Sequence, residues 1–141
     1  MKINVLLIED SKLLRIALER SLTKAGFTVV IAQDGEEGLR FARHALPDVI
    51  LLDMLLPKLG GEQVLQSLKG DPLTAGIPVI ILSSLSQQNE EKLKKAGAAA
   101  YFEKAKLLGD ADSGMLHDVI SSAALESKLL RQKGLFVSNN A

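Results

Sequence analysis

Short, nearly unbroken apolar runs alternate along this chain with longer stretches in which apolar residues recur at helical spacing. Ile3-Asn4-Val5-Leu6-Leu7-Ile8 reads as a strand, and Glu9-Asp10-Ser11 follows, where a Ser or Asp can cap the next helix. In that helix Leu14, Leu18, Ser21, Leu22 and Ala25 share one face, and Gly26 stops it. Phe27 to Ala32 predicts a second strand. Asp34-Gly35 then starts a helix with Leu39, Ala42 and Leu46 on one face, ended by Pro47. The third strand is Val49 to Asp53, its loop holds Pro57 and Gly60-Gly61, and a helix with Val64, Leu65 and Leu68 runs on to Gly70-Asp71-Pro72. Val79 to Ser83 is the fourth strand, leading through Ser84-Leu85-Ser86 to a charged helix around Glu90 to Lys95 that Gly97 stops. Ala98 to Phe102 is the last strand. After it come Glu103-Lys104, a loop near Gly109 to Ser113, and a helix with Leu116, Val119, Ile120, Ala123, Ser127 and Leu130 inward.

Five strands alternating with five helices predict the α/β class, with right-handed crossovers and a parallel sheet covered on both faces. Continuous Val/Ile/Leu runs are what strands buried on both sides require. The 141 residues suit one folded unit, expected over residues 1–133, with 134–141 as a flexible tail. Lys+Arg and Asp+Glu are each 17, so no overall basic field draws the chain to nucleic acid or to an anionic membrane. The chain has no Cys, which removes disulfides and thiolate metal sites, and its first apolar run is too short for a signal peptide or a membrane span. A cytoplasmic protein with neither nucleic acid nor membrane as partner is the expectation.

Functional groups in open α/β sheets gather at the carboxyl ends of the strands, and Asp53 closes the third one. In the flavodoxin-like strand order 2-1-3-4-5, strands one and three are neighbours, which brings Glu9 and Asp10 beside Asp53. Three carboxylates about one inter-strand spacing apart, ~4.8 Å, repel unless a cation or a proton separates them. All the ligands on offer are oxygens, which favours a hard cation such as Mg2+ completed by water and a backbone carbonyl. Strand four adds the hydroxyl of Ser83, and Lys104 after strand five can reach back across two inter-strand spacings. Together they form a cradle for a phosphoryl group attached to, or attacked by, Asp53.

In this pattern the chain resembles the receiver domain of two-component response regulators, over about Lys2 to Lys133. The matching residues are the acidic pair Glu9 and Asp10, Asp53 at the end of strand three, Pro57 and Gly61 in its loop, Ser83 ending strand four, Tyr101 in strand five, and Lys104. The strand order is carried over from that family. The resemblance implies phosphoryl transfer from a phosphohistidine of a sensor kinase or histidine phosphotransfer protein to Asp53. It also implies Mg2+ held by Asp10, Asp53 and the Leu55 carbonyl, with Glu9 acting on the ion through water. Ser83 and Lys104 would bind the phosphoryl group and Tyr101 would turn in behind. The face of the fourth helix, fifth strand and last helix would then change its affinity for a downstream protein, with room for a homodimer. The protein is then a switch rather than an enzyme.

The chain departs from the family at several positions. Ala105 follows Lys104 where receivers usually place Pro, commonly after a cis peptide, so this bond is either trans or a costly non-proline cis bond. The stretch Lys106 to Asp112 is longer than the usual lead into the last helix. Leu55 and Leu85 occupy sites that tune attack of water on the acyl phosphate, and both are apolar, which predicts slow self-dephosphorylation. The acidic turn after strand one excludes a dinucleotide-binding enzyme, which needs a Gly-rich turn there for pyrophosphate. The remaining alternative is a receiver-like binding module that works without phosphorylation. His44 and His117 are expected in packing or solvent roles, and the Glu90 to Lys95 run in a solvated face with internal ion pairs.

Overall fold

The computed structural model describes residues 2–84, 90–107 and 110–132. Five strands, β1 (Asn4–Ile8), β2 (Thr28–Ala32), β3 (Val49–Asp53), β4 (Val79–Ser83) and β5 (Ala100–Glu103), form one parallel sheet in the order β2-β1-β3-β4-β5. The helices are α1 (Lys12–Lys24), α2 (Gly35–Ala45), α3 (Gly61–Gly70), α4 (Glu90–Lys95), α5 (Lys104–Leu107) and α6 (Asp110–Gln132). The expected flavodoxin-like architecture is therefore present.

The apolar runs build two cores at once because successive side chains of a strand point to opposite faces. Val5, Leu7, Leu51 and Leu82 pack with Leu14, Leu18 and Leu22 of α1 and Leu116, Ile120 and Ala124 of α6. Leu6, Ile8, Leu52 and Ile81 face Ala42 of α2, Val64 and Leu65 of α3 and Leu93 of α4. Gly38 lets α2 lie directly on β1: a Cβ there would sit 2.5 Å from Cδ1 of Ile8. Gly26 and Gly97 stop helices with φ of 99° and 113°, the left-handed region where a side chain is disfavoured.

Several expectations need correction. Leu46 is not on the buried face of its helix. It is the C-cap, with φ 45°, and is 50% exposed, because the chain must leave the helix before Pro47 and it is Pro47 that turns in. Ala25 is likewise an exposed C-cap. The last strand starts at Ala100, where pairing with Ile80 of β4 begins, and not at Ala98. Lys104–Leu107 is helical, and residues 110–113 already belong to α6 where a loop was expected. Buried Leu107 anchors the first of these turns, and extending a packed helix backwards is cheaper than nucleating one. The peptide bonds of the described residues are all trans, Lys104–Ala105 included. Leu85, the Ser86 end of the fourth loop and the tail 134–141 lie outside the described residues.

Candidate functional site

The first strand delivers its acids through a short turn. Asp10 does not cap α1; Ser11 does, its Oγ accepting from the Leu14 N–H at 3.5 Å, which leaves the exposed Asp10 carboxylate available to the site. Glu9 continues β1 far enough to donate its N–H to the Ala32 carbonyl, and its side chain is fully buried. β1 pairs with β3 in the register Ile8↔Leu52, so the next residues along, Glu9 and Asp53, lie side by side. Oxygens of Glu9, Asp10 and Asp53 fall within 4.8 Å of one another.

Asp53 is also fully buried. Its Oδ1 accepts from the Leu55 N–H at 3.0 Å and from Lys104 Nζ at 2.8 Å. Lys104 Nζ also lies 3.1 Å from both Glu9 oxygens, with hydrogen-bond geometry toward Oε2. The Ser11 N–H donates to that same oxygen at 3.1 Å. Two buried oxygens, Asp53 Oδ2 and Glu9 Oε1, receive no hydrogen bond. Three carboxylates against one ammonium leave two formal negative charges when all are ionised. Buried oxygens without donors, an all-oxygen ligand set and a residual charge of that size fit a hard divalent cation.

This crowding shows in the acid–base behaviour. Burial, helped by the close approach of the Asp53 carboxyl and by its charge, pushes the Glu9 carboxyl up from 4.5 to about 7, against the opposing pull of the Ser11 N–H and Lys104. Burial alone would lower Lys104, but the Asp53 and Glu9 carboxylates outweigh it and raise the ammonium above its ordinary value.

Ser83 ends β4 next to the Asp53↔Leu82 register pair and is buried. It lines a cavity of about 480 Å³ together with Met54, Leu55, Gly61, Gln63 and Leu93, so space for a tetrahedral group opens beside the end of β3. Gly61 makes this possible: a Cβ there would lie 2.6 Å from the Asp53 carbonyl and the Met54 Cα, forcing the loop away. Tyr101 is half-buried and packs against the core on the α2, α3 and α4 side. The Leu55 side chain is 55% exposed.

The two histidines lie apart from these groups. His117 contacts Ser21 Oγ at 2.9 Å and packs edge-on against Phe27, and His44 contacts its own helix at the Arg40 carbonyl. The run Glu90 to Lys95 carries the internal pairs Lys94–Glu90 and Lys95–Glu91, and Lys92 adds a pair with Glu62 of α3. Arg15 belongs to no motif of the sequence, yet its guanidinium reaches the carbonyls of both Glu9 and Asp10. Its position one helical turn beyond the acidic pair was the available signal. Among the described residues no helix is long and apolar enough to cross a membrane.

Residues 5–109 match the family model of the response regulator receiver domain. The chain is 36% identical over 101 residues to Protein PilH of Pseudomonas aeruginosa, an alignment covering 71% of this chain and 84% of that protein. It is 44% identical over 108 residues to the gliding motility regulatory protein of Myxococcus xanthus, covering 75% of this chain and 14% of that much longer protein. Among solved structures, a response regulator receiver domain protein from Clostridium thermocellum superposes with a TM-score of 0.78 at 30% identity, covering 91% of this chain and 98% of that one. Fold, matched span and relatives agree, and the chain belongs to the response regulator receiver domain family of two-component signalling.

Proposed function

We propose that Asp53 is a phosphoacceptor and that the chain works as a switch. A carboxylate oxygen attacks the phosphorus of a phosphohistidine on a kinase or phosphotransfer protein. The O–P bond forms as the P–N bond breaks, and the imidazole leaves with the bond's electron pair and takes up a proton. The observation that carries this reading is the state of the Asp53 carboxylate, buried with Oδ1 fixed by Lys104 and the Leu55 N–H and Oδ2 undonated. Oδ1 is held in place while Oδ2 keeps its lone pairs for bonding, a preorganised nucleophile.

Asp10, Asp53 and the Leu55 carbonyl would hold Mg2+, with Glu9 acting through water, and the ion would neutralise charge on the phosphoryl oxygens. Lys104 pairs with the phosphoryl group once Asp53 carries it as an acyl phosphate, because Oδ1 then loses most of its charge and the new dianion lies within reach. Ser83 donates its hydroxyl to a phosphoryl oxygen. Tyr101, packed on the same side of the sheet as α4, follows Ser83 inward and changes the surface of α4, β5 and α6 that a downstream protein reads. Residues 1–133 form the switching unit, and it acts in the cytoplasm, where an ATP-dependent kinase makes phosphohistidine.

Incubation with acetyl phosphate and Mg2+ followed by intact-mass measurement tests the reading. The expected result is a gain of one phosphoryl group that is absent in Asp53→Ala. No gain with any donor would instead favour a binding module that works without phosphorylation.

A further inference from the structure

We infer that Arg15 is a positioning residue for the cation site, gripping the main chain of the acidic turn so that Asp10 is aimed at Asp53. The inference rests on the reading of Glu9, Asp10 and Asp53 as the cation-binding set. Arg15 Nη1 lies 3.5 Å from the Glu9 carbonyl and 3.3 Å from the Asp10 carbonyl. A guanidinium nitrogen carries two N–H groups in one plane, so a single Nη can address two successive carbonyls that point the same way.

The turn needs such a grip. Asp10 is exposed, and no donor to its carboxylate is present among the described residues. The Ser11 N–H is committed to Glu9, and the Ser11 cap of α1 is long at 3.5 Å. Arg15 itself is carried on a firm base, since Leu14 and Leu18 beside it are buried against the sheet. Asp10 is thus referred to α1 by the Arg15 N–H bond to the Ser11 carbonyl at 2.9 Å, and the guanidinium adds the ties to the carbonyls of Glu9 and Asp10 themselves.

Toward a bound cation, charge alone argues against an arginine here. Arg15 is the fourth residue of α1, where a cation gains nothing from the positive end of the helix dipole. A positive charge next to a cation site also repels the ion. In the metal-free site the carboxylates of the turn attract the guanidinium, so its charge disfavours the cation while its grip on the two carbonyls favours it. The two accounts predict opposite signs: removing the charge tightens cation binding if electrostatics dominates, and weakens it if the grip does.

Isothermal titration calorimetry with Mg2+, at fixed ionic strength and without phosphodonor, separates them. Arg15→Met keeps the apolar stem and removes the grip; its Mg2+ Kd should rise about tenfold, the lower end of what outer-shell partners contribute. Arg15→Lys should recover part of the loss. Metal-free urea midpoints are compared first, and Arg15→Gln replaces Arg15→Met should the latter not fold. An unchanged or lower Kd in a folded variant overturns the inference. Absence of Mg2+ binding by the unaltered chain would instead overturn the reading of the cation site on which it rests.

Discussion

The two ends of the sheet handle buried polar groups in opposite ways. At the end where strands begin, they are satisfied. Lys69 Nζ, its ammonium pushed to a lower pKa by burial, donates to the Ala75 and Ile77 carbonyls at 3.1 and 2.9 Å. Thr74 Oγ1 donates to the Leu68 carbonyl and Ser127 Oγ to the Gly76 carbonyl. At the other end, Glu9 and Asp53 are fully buried side by side, with an undonated oxygen on each. Satisfied polar groups make one end a clamp. Unsatisfied ones leave crowded negative charge at the other, a local cost in stability that a bound cation or a proton would relieve.

Neutralising the two ends should therefore move stability in opposite directions, which is the strongest test of the contrast. Lys69→Met leaves two carbonyls without their donor and should cost about 2 kcal/mol in metal-free urea unfolding. Asp53→Asn removes one of the crowded carboxylates and should stabilise by about 1 kcal/mol or more in the same assay. A loss in both variants would erase the distinction.

The pH dependence comes next in size. The folded Glu9 carboxyl, near 7, lies above its ordinary 4.5, so the folded chain binds the proton more tightly than the unfolded one. The corresponding stability is fully present below about pH 4.5 and is lost as pH rises through about 7. In EDTA, unfolding free energy should fall by on the order of 2 kcal/mol between pH 5 and pH 7.5, and Glu9→Gln should flatten that slope. Equal slopes in both proteins would show that the crowding is relieved some other way.

The smallest effect concerns Leu55, whose exposed side chain offers nothing to orient water toward an acyl phosphate on Asp53. Leu55→Asn should speed phosphate release about fivefold, ~1 kcal/mol in barrier, in a time course after removal of the donor. An unchanged rate would separate the crowding of the site from the lifetime of its phosphorylated form.

Apolar runs made the strands legible because a strand buried on both faces has no polar positions to blur it, and Leu6 and Leu7, serving opposite cores, show the pattern at work. The acids, Ser83, Tyr101 and Lys104 were legible because each stands at or near the end of such a run. Element ends were harder. Leu46 fits the helical period of α2 but is turned out at the cap, and residues 104–107 wind into a helix that no spacing announced. Both outcomes depend on what the neighbouring element covers.

Residue order by itself determined that an acidic pair, an aspartate, a hydroxyl and a lysine would reach the strand ends, since these ends follow from local periodicity. Only the tertiary structure decided that Ser11 and not Asp10 caps α1, that Glu9 lies buried against Asp53, that one ammonium serves both, and that Arg15 reaches back to the turn. These are contacts between side chains brought together by strand pairing and helix packing. Their competition for hydrogen bonds and charge is settled only when all of them are in place.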